Sequence, residues 1–477
     1  MTTEVVTTRQ ASQATNASST IGRTSRQHAQ MSVNTIPHLG APVLPPALPL
    51  LSSTVAFGRD PIAFFVESYR RYGPAFRINA FDFNLTVMLG ANAHRALFAE
   101  HGDKLSARKG YSLLLPLLDD ALPVSDGRHH AKQKRLIQPA FHARRIESYL
   151  DVILEATTRR IANWQDGAVI DVYEEARQMT LEAVLRALTG GDVQAWHAEF
   201  ADVLTHTFDY VTKPSVQKWV KLDLPVTGYG QHKRARARLD AILLAMIRER
   251  RESGAEGNDV LSWLVATRDE DGGQLSDQSI RDQLLFLIYA GHDTATCTIA
   301  WALHLLATHS HEFDGVAEAA RGLFAQDISL TAVRLPTRLD MVIDETLRLY
   351  PPSWIGLRGV TETFEFEGMQ IRAGTSVMYC SGASHRLPDA FNEPLAFKPA
   401  RFAPELKAQM PPFTFVPYGG GAHMCVGMPF AQAELKLMLA RILSEWRFEP
   451  ISDKPIAMNY NPTLAPKHGI QLRIRKV

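Results

Sequence analysis

From about Asp282 to Thr308 the chain carries Leu284, Leu285, Leu287, Ile288, Ile299, Trp301, Leu303 and Leu306, so a helix here is apolar on nearly every face. A helix with one apolar stripe lies on a surface, whereas one that is apolar all round has to be enclosed by other elements. This segment therefore demands a thick body of helices around a central rod. The chain can supply it: 477 residues, 45% hydrophobic and 21% charged, is the composition of a globular protein with a sizeable core. No run of about 18 uncharged apolar residues occurs, and the most lipophilic N-terminal stretch, Ala41 to Phe57, is broken by Pro42, Pro45, Pro46 and Pro49, which argues against a transmembrane anchor. The 51 Lys and Arg balance 50 Asp and Glu, so no global field recruits nucleic acid or an anionic membrane. Three cysteines, Cys297, Cys380 and Cys425, are too few for a disulfide framework and fit a reducing, cytoplasmic setting.

Punctuation along the chain predicts the remaining elements. Asp60-Pro61 caps and opens a helix that runs through Tyr72 and stops at Gly73-Pro74. A short hairpin is expected from Phe76 to Leu89, a second β region from Val360 to Met378 turning near Gly368, and a last strand from Gly469 to Arg475. Between them lies a helical middle, roughly residues 128 to 350, interrupted at Gly190-Gly191, Pro214, Pro225 and Gly272-Gly273. The expected class is mainly α with small β-sheets. Residues 1–36, rich in Ser, Thr and Gln, with Arg9, Arg23 and Arg26 against the single acid Glu4, carry no amphipathic stripe and are expected to be a disordered tail.

Chemistry concentrates at two places. Near the C-terminus, Gly419, Gly420 and Gly421 precede Cys425 and Gly427 follows it, and a helix then begins with Phe430, Leu435, Met438, Ile442 and Trp446 at helical spacing. A sulfur on a glycine-rich loop before a helix N-terminus meets backbone N–H groups and the helix dipole, both of which favour a thiolate. The absent side chains let a flat ligand approach the backbone. On the apolar helix, Ala290-Gly291-His292-Asp293-Thr294-Ala295 places a glycine that costs about 1 kcal/mol relative to Ala and a buried acid that needs a partner or a purpose. The Thr294 hydroxyl can bond back to the Ala290 carbonyl, bending the helix and opening a groove beside Gly291.

The run from Tyr418 to Gly427 resembles the haem-binding loop of the cytochrome P450 family: an aromatic, two residues, Gly421, one residue, His423, one residue, Cys425, one residue, Gly427. It departs from the family at Tyr418, where Phe is usual, which adds a phenol near the sulfur. The resemblance spans about Pro37 to Val477 and implies a cytochrome P450 catalytic domain over residues 37–477, with haem b buried between the long central helix and the cysteine loop. By that resemblance Cys425 is the axial ligand of the haem iron, Gly419 and Gly427 let the haem approach, Ala290 and Gly291 border the dioxygen groove, and Asp293 and Thr294 relay protons. Glu345 and Arg348, an unremarkable i, i+3 pair alone, together with Arg401 match the family's structural triad. His130 with Lys134 or Arg135, Arg358 and His423 match positions that reach the haem propionates.

The implied activity is that of a monooxygenase acting on a lipophilic fatty acid, terpenoid, sterol or polyketide. A peroxide-driven peroxygenase and a non-catalytic haem sensor are the rival readings. Phe286, Ala290, Trp354, Ile355 and Leu464 are the expected substrate contacts, within pocket segments at 111–124, 200–225, 353–357 and 461–466. Six Lys or Arg and no acid lie between Asp126 and Glu147. With no nucleotide loop of the Gly-x-Gly-x-x-Gly type, electrons from NAD(P)H are expected through a separate ferredoxin or flavodoxin and its reductase, delivered to a monomer.

Overall fold

The central rod is the organising element. In the computed structural model, which describes residues 57–80, 83–112, 115–118, 121–191, 200–204, 207, 222–254, 257–268 and 272–477, it runs from Asp277 to Thr308. Its 32 residues span about 48 Å. It starts five residues before the apolar run because Ser276 caps it, accepting from Ser279 N at 3.1 Å. Helices Val172–Thr189, Gly228–Ser253, Arg338–Leu349 and Met428–Leu443 pack around it. That enclosure is why the apolar residues could occupy every face. Val172–Thr189 ends at Gly190, whose φ of 70° and closeness to Asp259 leave no room for a side chain.

The small sheets follow the predicted punctuation. Asp60 caps Pro61–Tyr72 through Ala63 N at 3.0 Å, and Gly73 ends it. The hairpin expected at 76–89 pairs Ala75–Ala80 with Phe83–Met88. It belongs to a five-stranded sheet in which Phe83–Met88 runs parallel to Ser376–Tyr379, which pairs in turn with Gly356–Val360, and Leu105–Ser106 closes the far edge. Gly90 N donates to Ser384 Oγ at 3.0 Å, across a sequence separation of 294, fastening two distant stretches of the chain together.

The second β region resolves into two of these strands plus a two-stranded ribbon, Phe364–Phe366 with Met369–Ile371. Glu367 and Gly368 both have positive φ, 46° and 78°, as a tight two-residue hairpin turn requires. The last strand, Gln471–Lys476, lies between Val169–Asp171 and Trp446–Pro450. The fold is mainly helical with small sheets, as expected.

The described residues fall within one compact unit, His38–Val477. The expected tail at residues 1–36 and the interruption at Pro214 lie outside the described residues. Among the described residues, no helix is long and apolar enough to cross a membrane.

Candidate active site

The cysteine loop is held by backbone that only glycine adopts easily. Gly419 and Gly421 have φ of 68° and 65°, and Cys425 N donates to Tyr418 O at 3.0 Å, closing the loop. A Cβ on Gly421 would stand 2.3 Å from the Phe98 carbonyl oxygen. Gly421→Ala is therefore expected to cost about 2 kcal/mol or more, from left-handed strain plus a backbone clash. Urea midpoints of variant and parent measure it, and equal midpoints would refute the strain.

Cys297 and Cys380 are buried in the core, whereas the surface Cys425 retains opens into an internal cavity of about 330 Å³. Burial pushes the Cys425 thiol up, and the Gly427 and Met428 N–H groups and Lys134 only partly offset this. The loop and helix dipoles thus do not by themselves make the thiolate expected above. The sulfur suits a metal ligand, since a bound cation removes the proton, better than a free nucleophile. Among the described residues no cluster of three His, Cys, Asp or Glu could hold a metal. A single sulfur ligand fits an iron that brings its other ligands in a macrocycle.

The central helix supplies another wall of the cavity through Ala290, Gly291 and Thr294. Thr294 Oγ1 donates back to Ala290 O at 2.7 Å, the bond its spacing predicted. Gly291 also serves packing, because a Cβ there would stand 2.9 Å from Val184 Cγ2. Asp293 is not on the cavity wall: its carboxylate accepts from Thr463 Oγ1 at 2.6 Å.

His130, Lys134, Arg358 and His423 converge on the same cavity. The His130 and His423 ring centroids are 4.0 Å apart. Burial, then Arg358 and His130, push His423 down to about 3, and burial, then Lys134, lower His130. The nearby acid, Asp126, is occupied by Ser106 Oγ at 2.5 Å and Ala107 N at 2.7 Å. A lysine, an arginine and two histidines facing one cavity are a fitting receptor for two carboxylates such as the haem propionates. Of the two open alternatives, Lys134 lines the cavity and donates to Ala422 O at 2.7 Å, whereas Arg135 is exposed and not on the wall.

Behind the loop stands a buried scaffold. Glu345 and Arg348, each 0% exposed, form a bidentate pair at 2.7 and 2.8 Å, and Arg401 Nε reaches Glu345 at 3.3 Å. Arg348 also donates to the carbonyls of His385, Pro394 and Ala396 at 2.9, 2.7 and 3.1 Å. The link to the cysteine loop is a residue the sequence did not reveal: His385 Nε2 accepts from Val416 N at 3.0 Å. His94 Nδ1 bonds Phe413 O at 2.9 Å, so two histidines grip the segment entering the loop. A second missed residue is Glu434, which lines the cavity with both oxygens lacking a protein hydrogen-bond partner, and whose carboxyl burial pushes well up. Its signal was an acid four residues from both Phe430 and Met438 on a buried helical face.

The expected substrate contacts divide between the cavity wall and the core. Phe286 and Ala290 line the cavity, together with Tyr111, Leu118, Leu122 and Val124. Trp354, Ile355 and Leu464 do not; they pack in the core beside the five-stranded sheet, where Trp354 Nε1 donates to Tyr460 O at 2.7 Å. Pro352 and Ser353 form that part of the wall instead. Most of the expected pocket segment at 200–225 lies outside the described residues.

Comparison with known proteins agrees with this geometry. Residues 42–474 match the family described as Cytochrome P450. Cyclooctat-9-en-7-ol 5-monooxygenase of Streptomyces melanosporofaciens is 32% identical over 426 residues, covering 85% of this chain and 89% of that protein. A cyanobacterial P450 solved with retinoic acid bound superposes with a TM-score of 0.78 at 27% identity, over 92% of this chain and all of that one. The heme domain of cytochrome P450DA gives 0.82 at 23% identity, covering 92% and 98% of the two chains, a likeness of fold. The match over residues 42–474 and the 32% identity over most of both chains, together with the cysteine loop, the Thr294 back-bond and the buried Glu-Arg scaffold, show that the chain belongs to the cytochrome P450 family.

Proposed function

We propose that the protein is a monooxygenase that places one atom of dioxygen into a C–H or C=C bond of a lipophilic molecule. The observation that carries this reading is a single cavity onto which Cys425, the back-bonded Thr294 and the His130, Lys134, Arg358 and His423 donor set all open. Haem bound there through Cys425 would supply the iron at which dioxygen is reduced. The four donors would hold its propionates. Thr294, tied to Ala290 O, presents its oxygen to the cavity to hold or pass a proton, with Asp293 next to it in the chain as the acid that replenishes it.

Leu118, Leu122, Val124, Phe286 and Leu287 exclude water and favour a substrate that is mostly hydrocarbon. One relative is named for oxidising a cyclic unsaturated alcohol and another was solved with retinoic acid. Both compounds are hydrocarbon skeletons with one oxygenated group, which supports a terpenoid-like substrate here. Helix Gly127–Ile137, with Arg128, Lys132, Lys134 and Arg135, offers a basic surface suited to an acidic ferredoxin or flavodoxin fed by NAD(P)H through a reductase. The protein is proposed to work as a cytoplasmic monomer.

The test begins with a terpenoid panel screened for the haem absorption shift that accompanies displacement of iron-bound water. Hits are then turned over with NADH, ferredoxin, its reductase and isotopically labelled dioxygen. One labelled oxygen per product is expected. Product from peroxide alone would make the protein a peroxygenase, and binding without product a sensor. Cys425→Ser should lose the red-shifted carbon monoxide band of thiolate-bound haem; its retention would overturn the ligand assignment.

A further inference from the structure

Thr294 faces the cavity, but Asp293, one residue earlier on the same helix, does not. Its carboxylate is turned toward the C-terminal segment, where Thr463 Oγ1 donates to Oδ2 at 2.6 Å. A threonine hydroxyl has one hydrogen, and its surroundings commit that hydrogen to the acid. On its other side the same oxygen accepts from Cys297 Sγ at 3.6 Å. Burial pushes the Cys297 thiol well up, so it keeps the hydrogen it donates, and Tyr173 lies beside it.

Thr463 is a fixed donor. It is buried, and its neighbour Leu464 is pinned at both ends: Leu464 N donates to Pro352 O at 3.0 Å, and Leu464 O accepts from Trp301 Nε1 at 3.0 Å. From helix Val172–Thr189, Tyr173 and Arg177 lie within electrostatic reach of Asp293, and Arg177 is held by Glu174 through two bonds of 2.8 Å. The acid thus rests in a polar cluster outside the cavity, and its bond to Thr463 is short.

We infer that Thr463 is a positioning residue for Asp293, a built-in latch that holds the carboxylate outside the cavity and sets how readily it turns to hand a proton to Thr294. This rests on the monooxygenase reading. A carboxylate that accepts a charge-assisted hydrogen bond binds a proton less readily and turns less freely, so removing the donor shifts both properties. Val has the shape of Thr without the donor, and Ser keeps the donor without the methyl.

The experiment uses the haem-loaded full chain as parent, Thr463→Val and Thr463→Ser. Infrared difference titration of the ferric protein, with Asp293→Asn to assign the carboxyl band, reads the pH midpoint of Asp293. Turnover with a substrate from the panel reads peroxide released per product and the solvent isotope effect. Thr463→Val is expected to raise the midpoint by about one pH unit or more, and to change the peroxide ratio severalfold along with the isotope effect. Thr463→Ser should restore both. An unmoved midpoint in Thr463→Val overturns the inference, as does a moved midpoint with unchanged peroxide ratio and isotope effect, which would leave the bond merely structural. A parent that turns over normally while Thr463→Val matches it sinks the inference alone. A parent that yields no product from any electron source sinks the monooxygenase reading and the inference with it.

Discussion

Arg348→Leu should lower the urea midpoint by the equivalent of about 3–5 kcal/mol, much of the 5–15 kcal/mol by which a domain is normally stable. The reason is what the substitution strands. Glu345, 0% exposed, would keep Lys398 N at 2.8 Å and the longer Arg401 contact but lose its bidentate partner. The carbonyls of His385, Pro394 and Ala396 would lose their guanidinium donor in the same change. Many buried ion pairs can be exchanged for two apolar residues without loss. This one should resist, because Glu345→Leu with Arg348→Leu removes the charge and still leaves the carbonyls short of a donor. Equilibrium unfolding of the double variant decides between the two views, and a midpoint at or above the parent's would show that the guanidinium serves only its carboxylate. Because His385 passes the constraint to Val416, both variants should also bind haem poorly.

Acidification should loosen the same region with a definite sign. Burial holds His94 down to about 4 and His385 well below the ordinary histidine range. The folded protein therefore prefers both rings neutral, while the unfolded chain takes up protons from about pH 6.5 downward. Stability from His94 is complete above pH 6.5 and is lost as pH falls toward 4, at about 1.4 kcal/mol per pH unit, or about 3 kcal/mol in all. His385 adds a loss of the same sign. Urea titrations between pH 7.5 and 4 measure the slope. His94→Asn, which can still donate to Phe413 O but does not titrate, should show a shallower fall; a slope identical to the parent's would remove His94 from the account.

What was legible in the chain was what lies close together along it. The cysteine loop, the Thr294 back-bond and the Glu345–Arg348 pair are separations of a few residues, for which helix and turn geometry dictate the contact. Lys134 against Arg135 was open because adjacent helical residues point about 100° apart and the phase depends on neighbours. Trp354 and Ile355 pack away from the cavity for a related reason: nearness to the wall residues Pro352 and Ser353 does not say which face a residue takes as the chain turns into the strand Gly356–Val360. His94, His385 and Thr463 were invisible because their partners are 319, 31 and 170 residues away. Only packing brings them together.

The sheet assembled from two distant stretches of the chain also bears on how the molecule is made. A ribosome releases Phe83–Met88 long before Ser376–Tyr379, its parallel neighbour, exists. Closing so large a loop is entropically unfavourable until much else has collapsed. The early hairpin is therefore without its parallel neighbour until residues 376–379 have been made, and its bare edge has to be kept from pairing elsewhere during that interval.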